Sequence, residues 1–103
     1  MPDKQFQWPG RRPDDPAHDM LVAFLVMDIQ HNPEWAHELA DQIEQVKSGQ
    51  LPGWERVGNA YRLEVSGNRA LLEDLVDEDS PEQTVTLDDL CQAVEAWIER
   101  FKL

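Results

Sequence analysis

A chain of 103 residues with 21 acidic and nine basic side chains carries a formal net charge of −12 at pH 7. That length supports one small hydrophobic core. Four Trp, three Phe and one Tyr exclude a wholly disordered chain. The charge argues against direct nucleic-acid binding, because phosphate contacts need clustered Lys and Arg and most bases here are scattered. The single cysteine, Cys91, excludes an internal disulfide and fits a reducing compartment. The longest apolar stretch, Met20 to Met27, is eight residues, far below the ~20 of a membrane span. Asp14, Asp15 and Asp19 precede it and no small-residue cleavage site follows, so a cytoplasmic location away from membranes is expected.

Residues 1–19 hold prolines at positions 2, 9, 13 and 16, which read as a mobile or loosely docked Pro-rich arm without helix. Its only apolar anchors, Phe6 and Trp8, either pin it to the same chain, the favoured reading, or are offered to a partner. Residues 20–103 then form one domain. "MLVAFLVMDI" (20–29) is apolar on both alternating faces and reads as a strand covered on both sides. A helix follows, with Asn32 as N-cap and Pro33 in the first turn, ending near Gly49; Trp35, Leu39, Ile43 and Val46 make its buried stripe. "LPGWERVGNAYRLEVSGNRALLEDLV" (51–76) reads as a hairpin turning at Ser66-Gly67-Asn68. Val57, Tyr61, Leu63 and Val65 line one face, Arg56, Arg62 and Glu64 the other, and Gly58-Asn59 interrupts the first strand as a bulge. After the acidic loop "DEDSPEQ", Thr86 and Asp89 open a last helix whose apolar face runs through Leu87, Leu90, Cys91, Val94, Trp97, Ile98 and Phe101. The expected fold is α+β, in the order β-α-β-β-α, with a three-stranded sheet packed against two helices.

The residues offer little for catalysis. Cys91 falls on the apolar face of the last helix, which favours a buried, inert thiol over a nucleophile. His18, His31 and His37 contain no i, i+4 pair of the kind that builds a helical metal site. "DEDSPEQTVTLD" begins like a calcium loop at Asp77 and Asp79, but Pro81 and Glu82 occupy positions where that geometry is strict. No catalytic residue, cofactor or metal is expected, and an enzyme is the least supported class.

The distribution of charge is more informative. Residues 70–99 hold ten acids and no base, so the remaining chain holds 21 − 10 = 11 acids and all nine bases. Helix capping accounts for Asp88 and Asp89. A surface complementary to a basic partner accounts for the asymmetry, since a one-signed patch speeds encounter by ~10–10³-fold. Asp74, Asp77, Glu78, Asp79, Glu82 and Asp88 are the expected contacts, with Trp54 or Tyr61 as an anchor if exposed and hairpin packing as the alternative for both.

With these segments placed, "EWAHELADQIEQVKSG" (34–49), "GWERVGNAYRLEV" (53–65) and "LDDLCQAVEAWIERF" (87–101) resemble, in order and wording, the small bacterial immunity proteins of contact-dependent growth inhibition systems. The middle segment is also similar to the uncharacterised YacL-type proteins, with their "W-x-R-x-G-x-x-Y" stretch present as Trp54, Arg56, Gly58 and Tyr61. The resemblance implies a non-enzymatic antitoxin that binds and neutralises the toxin domain of a sibling cell's effector, usually a nuclease. A nuclease presents a basic groove to its substrate, which an acidic protein can occupy. The alternative is an acidic housekeeping adaptor that binds a basic cellular component.

Overall fold

The computed structural model describes residues 6–103, so Pro2 and the other first residues of the Pro-rich arm lie outside it. The first regular element is a helix. Asp15 caps it by accepting from the amides of Ala17 and His18, and Pro16 takes the first-turn position, where no amide hydrogen bond is lost. Helix α1 spans Pro16–Phe24 and continues into a π-helical turn, Leu25–Ile29. The segment 20–29 is therefore helical, and the expected first strand does not exist. An apolar run of this length does not by itself distinguish a two-sided strand from a buried helix. The wider turn closes with the Gln30 amide donating to the Leu25 carbonyl at 2.7 Å, and Gln30 adopts φ 58 and ψ −147. Its own carbonyl accepts from the Trp97 indole N–H at 2.7 Å, which pins this strained residue to the last helix.

Helix α2, Pro33–Lys47, starts at Asn32 as its residues dictate, with the Asn32 side chain accepting from the Trp35 amide. Its buried stripe is Ala36, Leu39, Ile43 and Val46. Trp35 is not part of it: the side chain is exposed, one residue off the buried row, beside the guanidinium of Arg56. Four antiparallel strands follow: β1 Gly53–Val57, β2 Tyr61–Ser66, β3 Arg69–Asp74 and β4 Gln83–Thr86, adjacent in that order. The expected bulge at Gly58-Asn59 is the turn between β1 and β2, so the single long hairpin becomes a meander. Gly67 supplies φ +58 to the tight connection between β2 and β3. The fourth strand runs from Gln83, the last residue of the acidic loop, to Thr86, the cap of the last helix. Helix α3, Leu87–Phe101, then begins at Thr86, whose hydroxyl accepts from the Asp89 amide at 3.0 Å.

The helices cover one face of the sheet and solvent covers the other, as antiparallel sheets permit. Leu63, Val65, Ala70, Leu72 and Val85 point to the helices and join the core of Leu21, Leu25, Leu39, Ile43, Leu90 and Trp97. Register fixes the parity of β1: Trp54 lies opposite Val65 and Arg56 opposite Leu63, on the helix side, while Val57 lies opposite Arg62 on the open face. This reverses the expected placement of Arg56 and Val57. On the open face Arg62 takes Glu55, Glu64 and Glu73 as ion-pair partners at once. Phe6 and Trp8 are buried in the body, with Phe6 edge-on to Trp97 at 5.1 Å. The architecture is thus three helices with a four-stranded sheet, rather than two helices with three strands.

Candidate functional site

The connection between β3 and β4 carries four of the acids singled out in the sequence, Asp77, Glu78, Asp79 and Glu82, and a fifth stands just before it. Asp74 ends β3 and accepts from the amides of Val76 and Asp77, both at 2.9 Å. Asp77 in turn accepts from the Asp79 amide at 3.0 Å. These two carboxylates order the loop as side-chain turns, so part of the acidic content is structural. Asp77, Glu78, Asp79 and Glu82 are exposed, and no ion pair among the described residues reaches any of them. Asp88 is different. Lys47 approaches it from α2 at 3.4 Å, and this pairing raises the lysine pKa. The stretch without bases in sequence is therefore not without them in space: Lys47 faces Asp88 and Arg62 faces Glu73.

The two candidate aromatic anchors sit elsewhere. Trp54 is half-buried against the core from the helix side of β1. Tyr61 is also half-buried, edge-on to Phe24 at 6.5 Å, and burial, with Asp74 and Asp28 nearby, raises its hydroxyl pKa. Tyr61 belongs to a constellation centred on Asp28, which sequence reasoning missed. Asp28 is buried in the π-helical turn. One carboxylate oxygen accepts from the Ala60 amide at 3.0 Å and the other from the Tyr61 amide at 2.9 Å. Arg56 Nη2 donates to the Asp28 carbonyl at 3.3 Å, and Nη1 stands 4.0 Å from the carboxylate. Gly58 passes so close that a Cβ there would lie 2.3 Å from the same carboxylate. Arg56, Gly58 and Tyr61 of the W-x-R-x-G-x-x-Y stretch thus share one task, which is clasping the β1–β2 turn onto α1. The signal for it was present: Asp28 is the only charged residue inside the apolar run 20–29, and a charge is rarely buried unless paired.

A second buried polar contact ties down the arm. The Nδ1 of His18 accepts from the Arg12 amide at 2.9 Å, so Nε2 carries the proton and donates to Asp89 at 3.2 Å. Among the described residues, no group of three or more His, Cys, Asp or Glu side chains converges so as to hold a metal ion. Nor is any helix among them long and apolar enough to cross a membrane.

Cys91 is half-buried rather than enclosed, at the margin where α3 meets α2. Burial raises its thiol pKa, Glu95 adds to the effect, and Lys47 opposes it. A raised pKa and partial cover both reduce reactive thiolate, so a thiol reagent at neutral pH should label the native protein about tenfold more slowly than the urea-denatured chain. Equal rates would place the thiol in an open, activated position.

Compared with protein-family models, with curated proteins and with solved structures, the chain finds no match.

Proposed function

We propose that this chain is an immunity protein, a stoichiometric inhibitor that occupies the basic substrate groove of a nuclease toxin domain. One observation carries the reading. Arg11, Arg12, Lys47, Arg56 and Arg62 each face an acid of their own chain, whereas Asp77, Glu78, Asp79 and Glu82 project from one ordered connection with no ion-pair partner among the described residues. Internal pairing removes most of the positive field and leaves the negative field of the loop directed outward. A groove that binds nucleic acid offers the complementary surface. The sequence resemblance to immunity proteins points the same way.

The test is a titration of the toxin domain encoded directly upstream, followed by nuclease activity. Inhibition should be complete at about one equivalent, with the nucleic-acid substrate untouched by this protein alone. Inactivation of a large excess of toxin would move the protein to the enzymes. Failure to bind would remove the immunity reading.

A further inference from the structure

Among the described residues, five large apolar side chains are exposed: Met27 by 54%, Trp35 by 42%, Val57 by 66%, Leu75 by 39% and Val76 by 75%. They are not scattered. Met27 precedes Asp28, whose carboxylate holds the Ala60 and Tyr61 amides. Trp35 lies 5.8 Å beneath the guanidinium of Arg56, which itself bonds Asp28. Val57 enters the same turn, and the Leu75 amide donates to the Ala60 carbonyl at 2.8 Å, with Val76 next in the chain. All five therefore ring the end of the sheet where the Asp28 clasp sits. Val57 faces the open side of the sheet and Trp35 packs by Arg56 on its helix side, so the five encircle that end rather than form one flat patch. Single exposed apolar residues need no explanation, but several gathered round one end of a small domain fit an interaction surface.

We infer that this apolar collar is the anchor of the partner interface, and that its occupant is a basic protein presenting an apolar protrusion flanked by Lys and Arg. Charge complementarity selects that occupant. Asp77, Glu78 and Asp79 follow Val76 directly, and Glu34 precedes Trp35. An apolar centre with a charged rim is the usual anatomy of a protein interface. A second copy would bring the same acidic rim against this one, and like charges at close range reject such a pairing. The inference rests on the reading of the chain as a binder of a basic partner. It assigns affinity to the collar and leaves encounter rate to the acidic loop.

A photo-crosslinking amino acid placed at Val76, with Gln92 on the exposed side of α3 as the control position, tests the assignment in producing cells. The adduct identified by mass spectrometry should be one basic protein, formed from position 76 and not from 92. With that protein purified, Val57→Thr combined with Val76→Ser should speed dissociation by about tenfold and leave the association rate unchanged. Both side chains are exposed, so the urea midpoint of the double variant should match wild type and confirm folding. Crosslinks confined to copies of this chain, or none to a basic protein, overturn the inference, as does unchanged dissociation. If the captured basic protein is not a toxin, the collar stands and the immunity reading falls. If the toxin is inhibited but the double variant dissociates like wild type, the reading stands and the collar falls.

Discussion

Replacing Asp28 by alanine should lower folding stability by about 3–5 kcal/mol, the range for removing one partner of a buried charged contact. The change strips the acceptor from two backbone amides, those of Ala60 and Tyr61, and leaves the Arg56 guanidinium without its carboxylate. Each buried donor left unpaired costs its full desolvation. Asp28→Asn should cost less, since the remaining carbonyl oxygen still satisfies one amide, but its NH₂ group must then face a second donor. Urea unfolding monitored by tryptophan fluorescence separates the variants. A loss below about 1 kcal/mol for the alanine variant would mean that water or rearrangement satisfies the turn, and that the clasp holds little.

Changing Glu78, Asp79 and Glu82 together to lysine should slow association with a basic partner by about tenfold or more at low ionic strength. These three are chosen because their carboxylates serve no turn, unlike those of Asp74 and Asp77, whose acceptors hold the amides of Val76, Asp77 and Asp79. The variant should therefore fold as wild type does. At 0.15 M salt the screening length falls to about 8 Å, so the difference between the two proteins should shrink as salt rises. Stopped-flow association rates across a salt series decide it. Equal rates at low salt would make the loop merely solvated and remove the observation on which the immunity reading rests.

Residue type alone left Trp54 and Tyr61 open between partner anchor and hairpin packing, and the register of the sheet bears on that choice. Trp54 and Tyr61 are large aromatics in a polar segment, which makes them candidates by composition. Yet register places Trp54 opposite Val65, beneath the helices, and the Asp28 carboxylate holds the Tyr61 amide against α1. Val57, between them in sequence and smaller than either, is the residue that parity turns outward.

The sequence by itself determined the parts governed by contacts within a few residues. Asn32 before Pro33 starts α2, Thr86 three residues before Asp89 starts α3, and Gly67 permits the tight β2–β3 turn, because caps and turns are set by local hydrogen bonds and allowed φ values. Asp15 before Pro16 carries the same start signal for α1, and the apolar run behind it obscured it. The excess of acid in residues 70–99 was equally legible. Only the tertiary structure decided which of those acids are free, since Lys47 reaches Asp88 from another helix and Arg62 reaches Glu73 from a neighbouring strand. It also decided that Asp28 is buried and that five apolar side chains share one end of the sheet. These are contacts between residues roughly 30 or more positions apart or across strand pairs, and no local pattern encodes them, because periodicity reports which face a residue occupies and not what that face meets.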